Sequence, residues 1–237
     1  MAKSIGFSRN IKLEWLDKTV ELIKSDKSNR EISEELLSYL SFEIGDKTNL
    51  QKTKNILLNI WVNSAEDSRN IRDFALKVFD FKNDERIILH WCMMLLAYPV
   101  FRDIVQIIGR TCFIQSEFTV KSVKARIFDS WGERSTLYFS FGKILQTMKN
   151  MNLIENIEAG VYKPVETQIS KKEYILVILL SILSINKGTY YELHDLQESP
   201  LHFPFSYILS YEIVQECELI TFEYFSSKKI IRIKEVT

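Results

Sequence analysis

Apolar residues recur every three to four positions through most of the first hundred residues, a spacing that predicts amphipathic helices packed on one another. In EWLDKTVELIKS, Trp15, Leu16, Val20 and Ile23 fall on one face. In NREISEELLSYLSFEIG, Ile32, Leu36, Leu37 and Leu40 do the same, and the pattern ends near Gly45. NLQKTKNILLNIWV supplies a further helix of this kind. The next, SAEDSRNIRDFALKVFDF, opens on Ser64, Glu66 and Asp67. A hydroxyl there can accept from free backbone N–H groups, and the carboxylates suit the positive end of the helix dipole. The run ending at Ala97 is apolar nearly all round, which marks a helix buried on every side. Pro99 ends it, and VFRDIVQIIGRTCFIQ follows as the next helix.

From Thr119 the pattern changes, and it does so twice in the same order. VKSVKARIFDSWG reads as a helix, WGERSTLYFSFGKILQTMKNMNLI as a second, and LIENIEAGVYKPV as a strand, a glycine turn and another strand. Further on, KKEYILVILLSILSIN, YYELHDLQESP and FPFSYILSYEIVQECELI read as helices; TFEYF, the turn SSKK and IIRIKEV follow as a hairpin. Helix, helix, two-stranded wing is the order of a winged helix-turn-helix. The predicted fold is therefore mainly α: an N-terminal helical bundle over residues 1–101, then tandem winged helix-turn-helix-like units over 102–170 and 171–237 with short β-hairpin wings.

Composition narrows the function classes. With 46% hydrophobic and 26% charged residues, the chain of 237 residues has the make-up of a folded protein. Only 7 glycines and 4 prolines are present, and there is no phosphate-cradling glycine loop, HExxH pair or GxGxxG. Three widely spaced cysteines form no CxxC pair and suit a reducing cytoplasm. The apolar runs IILHWCMMLLAYPV (14 residues) and YILVILLSILSI (12 residues) fall short of the ~20 that a membrane span needs, so both are expected as core helices. No cofactor, metal site or catalytic residue is expected. His90 and Cys92 lie on opposite sides of one helix and cannot share a zinc ion, while His194, His202 and a Cys112–His90 pair have no supporting motif.

Net charge is zero, so any nucleic-acid footprint must be local. Thr119–Asn150 carries six basic residues (Lys121, Lys124, Arg126, Arg134, Lys143, Lys149) against two acidic ones (Asp129, Glu133). On the helix that follows Trp131, Leu137, Phe141, Ile144, Leu145 and Met148 share the inner side, and Ser135, Phe139, Gly142, Lys143, Gln146 and Asn150 share the outer one. Arg134, Ser135 and Thr136 stand at its N-terminus, where backbone N–H groups favour a phosphate. The candidate nucleic-acid contacts are therefore Lys121, Lys124, Arg126, Arg134, Ser135, Thr136, Phe139, Lys143 and Gln146, with Lys163 on the first wing. Lys228, Lys229 and Arg232 form a secondary set on the last hairpin, where alternating charge equally serves to protect a sheet edge. The same outer face could instead dock a protein.

The stretch Leu89–Ile154 resembles BrxA, a small component of bacteriophage exclusion (BREX) defence systems. The likeness is carried by His90-Trp91, Tyr98-Pro99-Val100-Phe101-Arg102-Asp103, Gly109-Arg110 and Trp131-Gly132-Glu133-Arg134-Ser135. The resemblance implies a bacterial cytoplasmic protein that binds nucleic acid rather than catalysing a reaction and works beside a methyltransferase, an ATPase and other BREX proteins; with the local basic excess over Thr119–Asn150, the expected partner is double-stranded DNA. Members have also been described as similar to the RNA-binding antitermination protein NusB, and as inner-membrane proteins; the short apolar runs speak against a membrane. Where the resemblance implies further Arg or Lys near 139–143, this chain has Phe-Ser-Phe-Gly-Lys, so contact with the nucleic-acid backbone is expected rather than base reading. An adaptor joining other BREX proteins and a NusB-like RNA binder are the alternatives.

Overall fold

Apolar periodicity becomes helices almost where it predicts them. In a computed structural model, which describes residues 5–63, 65–186, 190–225 and 228–234, α1 spans Leu13–Ile23, α2 Asn29–Ser41 and α3 Lys47–Trp61. Their starts have local causes. Ser28 and Glu31 form a reciprocal capping box on α2, and the Asp46 carboxylate accepts from Asn49 N at the head of α3. Leu22 is buried in α1 where Ile23 was expected, and Leu37 of α2 is only half-buried. The Ser64 start lies outside the described residues; a 3-10 turn over Glu66–Ser68 leads into α4, Arg69–Val78.

The two all-apolar runs are the central helices. Every residue of Ile87–Leu95 is buried in α5 (Ile87–Ala97), and every residue of Tyr174–Ser184 is buried in α9 (Lys172–Ile185). Neither could form a stable helix in water, since at ~1.5–3 kcal/mol per fully buried side chain their stability comes from packing against neighbours. Pro99 opens α6 (Pro99–Ile114) at a position that needs no N–H, so the chain turns between α5 and α6 without losing a hydrogen bond. That turn is sharp: the helical path bends by 117° between them. No single helix is long and apolar enough to cross a membrane; the bent pair passes such a test only as a pair, and its first helix is interior.

After α6 come β1 (Phe118–Thr119), α7 (Val120–Trp131), α8 (Ser135–Asn150), β2 (Ile154–Glu158) and β3 (Val161–Pro164). The strands form an antiparallel sheet in the order β1-β3-β2, with Phe118 opposite Tyr162 and Asn156 opposite Tyr162 on the other edge. β1 was not foreseen: two residues are too few to show a period, and only pairing with β3 defines them. Gly132 joins α7 to α8 at φ +77°, ψ 149°, a region essentially restricted to glycine, and a Cβ there meets nothing within 4 Å. Gly132→Ala should therefore cost ~1–3 kcal/mol from backbone strain alone. Equilibrium denaturation would show it, and an unchanged midpoint would refute it.

The last third departs from the expected repeat. FSYILSYEIVQECELI is not one helix: Phe205–Ser206 is a strand, β5, paired in parallel with β4 (Thr167–Gln168), and only Tyr211–Gln215 is helical, as α11. The cause is local. Pro204 cannot continue a helix, and from Phe205 burial alternates in a period of two, with Phe205 and Tyr207 buried, Ser206 half-buried and Ile208 79% exposed. α10 (Leu193–Gln197) and a 3-10 turn (Pro200–His202) precede this stretch, and β6 (Ile220–Phe225) pairs with β7 (Lys228–Ile233) after it. Ser226 and Ser227 of the anticipated turn lie outside the described residues.

One hydrophobic cluster runs from Ile5 to Ile231, so the three segments drawn from the sequence share a core. The boundary at 101/102 falls inside the first turn of α6. Two joints tie the last segment to the first. Glu85 accepts from the backbone N–H groups of Ser170 and Lys171 at 2.9 and 3.0 Å, capping α9 from a distant loop. Trp91 of α5 packs edge-on against Phe101 and Phe205.

Candidate nucleic-acid interface

The sixteen-residue helix α8 presents the two faces that its sequence predicts. Leu137, Phe141, Ile144, Leu145 and Met148 are buried, and Ser135, Phe139, Gly142, Gln146 and Asn150 are exposed, with Lys143 half-buried. The outer face is not wholly free. A segment ahead of α1 crosses its far end: Ile11 N donates to Thr147 Oγ1 at 2.9 Å, and Asn150 Nδ2 donates to Ile11 O at 3.4 Å. Gln146 donates to Asn150 at 2.9 Å. Phe7 anchors this segment, fully buried between Tyr98 and Phe101. Gly6, at φ +65°, lets the chain turn tightly over the Tyr98 ring.

At its near end, α8 and the same segment border an open hollow of about 500 Å³. Ser8 and Arg9 line one side; Arg134, Thr136, Phe139 and Ser140 line the other. Arg9 was missed in the sequence because it lies far from the basic cluster along the chain and meets it only through folding. Its guanidinium is oriented by bonds from Nε to Asn49 Oδ1 (2.8 Å) and from Nη1 to Ser8 O (2.6 Å). Arg134 donates through Nη2 to Trp131 O at 3.2 Å, and no side chain caps the helix start that follows it.

The remaining candidates are spread around this end of the molecule. Lys124 stands 3.6 Å from the centre of the Tyr138 ring and 5.5 Å from that of Phe128, a cation–π contact that holds α7 against α8. Arg126 donates to Thr111 Oγ1 of α6 at 3.2 Å, and Lys121 is exposed on the first turn of α7. Lys163 on β3 pairs with Glu155 of the neighbouring strand at 2.7 Å, and at about half exposure that pair is easily exchanged for another anion. The last hairpin is separate and locally neutralised: Lys228 pairs with Glu192 and Arg232 with Glu223, while Lys229 lies 4.2 Å from the centre of the Phe222 ring. Those pairs fit edge protection better than a phosphate surface.

The histidines and cysteines lie elsewhere. Trp61 Nε1 donates to His90 Nδ1 at 3.0 Å, and indole is only a donor, so the His90 proton sits on Nε2, facing Asp17 Oδ1 at 3.0 Å. Both ring nitrogens are thus engaged, and neither serves Cys112. Burial pushes the Cys112 thiol up to about 11 and the Cys92 thiol higher still, so both stay protonated near neutral pH. No cluster of metal-ligating side chains occurs among the described residues.

Fold and site together define a mainly helical protein with small β-sheets, whose basic helix pair carries a cationic hollow at one end. No family model matches the chain, and no curated protein or solved structure matches it significantly.

Proposed function

We propose that this protein is a non-enzymatic, duplex-DNA-binding accessory protein of a BREX anti-phage system, acting in the bacterial cytoplasm. In this reading α6, β1, α7, α8, β2 and β3 form a winged helix-turn-helix with α8 as the groove helix and β2–β3 as the wing; α9 to β7 are a second, divergent unit. The observation that carries the reading is the open outer face of α8, small and polar at Ser135, Thr136, Gly142 and Gln146, with cations Lys124, Arg134 and Lys143 around it. Such a face approaches a groove closely and holds phosphates, and its few base-reading groups favour backbone contact. The BrxA-like run supports the BREX assignment. Its residues His90, Trp91, Gly109 and Trp131 are packing joints, so the likeness concerns the scaffold more than the contact surface.

Gel-shift titration of blunt duplex DNA and of RNA at two salt concentrations tests this reading. Duplex binding should weaken with salt, and replacing Lys124, Arg134 and Lys143 together by Ala should lower the log–log salt slope by about three. Weak binding to both polymers that ignores the triple substitution would remove the DNA reading, and preference for RNA would favour a NusB-like role. A second reading has its own support: Tyr138 and Phe139 are 53% and 66% exposed side by side, as aromatic anchors of protein interfaces are. An adaptor would co-purify with another BREX component and lose it on Phe139→Ala.

A further inference from the structure

Among the described residues, the open sheet edges are blunted with one exception. β1, β4 and β5 are two residues long, and β2 carries Glu155 and Glu158 with a register shift between Asn156 and Glu158. β7 bears Lys228, Lys229 and Arg232, and Tyr191 bridges its outer side at Ile231. Short strands, charges and bulges of this kind keep an edge from pairing with another chain. β6 has none of them. Its six residues pair with β7 in an unbroken register, include no Lys, Arg or Pro, and end on Tyr224 and Phe225, 76% and 67% exposed. The direction of its free main-chain groups follows from β7. Ile231 N donates outward to Tyr191 O, so Ile231 and its partner Phe222 form a non-hydrogen-bonded pair. The N–H and C=O groups of Phe222 and Tyr224, and the Ile220 carbonyl, therefore point away from β7. Among the described residues none of these is engaged; only Ile220 N is used, by Cys217 O at 3.1 Å.

We propose that β6 is an interface between two copies of this chain, pairing antiparallel with itself across a two-fold axis at Phe222 and joining the two hairpins into one sheet. Charge selects both the partner and the register. Glu223 is the only charged residue of β6. A two-fold at Glu223 would set two carboxylates directly opposite each other, which is destabilising. A two-fold at Phe222 instead sets Glu223 opposite the partner's Thr221, whose hydroxyl can donate to it. The same register places Tyr224 opposite the partner's Ile220 and Phe225 opposite the partner's Leu219. Phe222 then exchanges both main-chain bonds with the partner's Phe222, and Tyr224 N–H meets the carbonyl of the partner's Ile220. The engaged Ile220 N is not needed. The strand is thus self-complementary in charge and in hydrogen bonding. Tyr224 and Phe225, the latter stacked on Tyr190 at 6.1 Å, add the apolar area that two paired backbones lack. The inference does not rest on the nucleic-acid reading of α8.

Sedimentation velocity of the full chain from about 1 to 200 µM tests it. A strand pair with flanking aromatics lies at the small end of specific interfaces, so a reversible dimer with Kd of roughly 10–100 µM is expected. Tyr224→Pro removes an outward N–H and spares the ladder, because Glu223 and Phe225 carry the neighbouring bonds to β7. It should weaken the dimer by about tenfold, one bond being lost from each copy, with an unchanged circular dichroism spectrum. The register is read by cross-linking in a Cys112→Ser background. A mixture of Thr221→Cys and Glu223→Cys chains should form a disulfide-linked dimer under mild oxidation, and Glu223→Cys alone should not. If Tyr224→Pro does not fold, the cysteine pair decides by itself. A chain that stays monomeric throughout this range overturns the proposal and leaves the edge to an extended peptide of another protein. A dimer that a folded Tyr224→Pro leaves intact, or one that Glu223→Cys alone cross-links, overturns it in favour of another surface or register.

Discussion

Gly109→Ala should be among the most damaging single-methyl changes in the protein. A Cβ at this position in α6 would lie 2.1 Å from the Pro200 carbonyl oxygen and 2.9 Å from its carbon. Both are backbone atoms, so no rotamer change can make room. Helix propensity favours alanine over glycine by ~1 kcal/mol, but over-packing against a fixed wall costs ~3 kcal/mol or more, so the clash decides the sign. Moving Pro200 away would also disturb its neighbours Leu201 and His202, both buried. Gly142→Ala is the matched control. That glycine lies inside α8, is exposed, and a Cβ there meets nothing within 4 Å. The same methyl group should stabilise there by up to ~1 kcal/mol. Urea denaturation of the two variants beside the parent measures both; equal shifts of the same sign would mean that α6 and the Pro200 turn are not in contact.

Asp17→Ala should cost ~3 kcal/mol, because it leaves the fully buried His90 Nε2–H without its acceptor and Arg86 with only the exposed Asp84 carboxylate, 3.3 Å away. The Asp17 carboxylate receives Arg86 Nη2 at 2.9 Å and His90 Nε2 at 3.0 Å, and the side chains of Arg86 and His90 are only 15% and 0% exposed. Asp17→Asn keeps an acceptor for His90 but leaves Arg86 only the exposed Asp84 carboxylate as a charged partner, so an intermediate loss is expected. Stability should also fall on acidification, and the sign follows from three groups. Burial holds His90 below the ordinary histidine range despite its Asp17 bond, and burial brings His202 down to about 4. Burial alone would raise Asp17, but the His90 and Arg86 hydrogen bonds outweigh it and bring it below the usual carboxylate range. In each case the unfolded chain takes up its proton first. The histidine contribution is therefore complete above the unfolded value of ~6.5 and is lost as pH falls towards the folded values; the Asp17 contribution is present above ~4 and lost below it. Denaturation midpoints at pH 7.5, 6 and 5 should decline in that order. A flat or rising series would mean that His90 and His202 are not buried as neutral rings.

The amphipathic helices were legible because side-chain direction repeats every 3.6 residues, whatever a helix later packs against. α8 is the clearest case: its wheel already separates Leu137, Phe141, Ile144, Leu145 and Met148 from Ser135, Phe139, Gly142 and Gln146. The hairpin of β2 and β3 was legible through Gly160, which takes φ +79° at the turn. The misread stretch Phe203–Ile220 shows the limit. Its apolar content suits a helix or a strand equally, and pairing of Phe205 with Thr167, together with Pro204, chose the strand.

The site divides in the same way. Residue types and local charge, read along the chain, already mark Lys124, Arg134 and Lys143 as a basic cluster on one helix pair, since they are close in sequence. Packing alone brings Arg9 and Ser8 across to Arg134 and Ser140, as it places Ile11 on Thr147, 136 residues away. Packing also sets Lys124 over the Tyr138 ring, beside the outer face of α8, and neutralises Lys228 and Arg232 with glutamates. Local periodicity carries the identity and orientation of each helix. Which charges remain available for a ligand depends on neighbours distant in the chain, and only long-range contacts supply them.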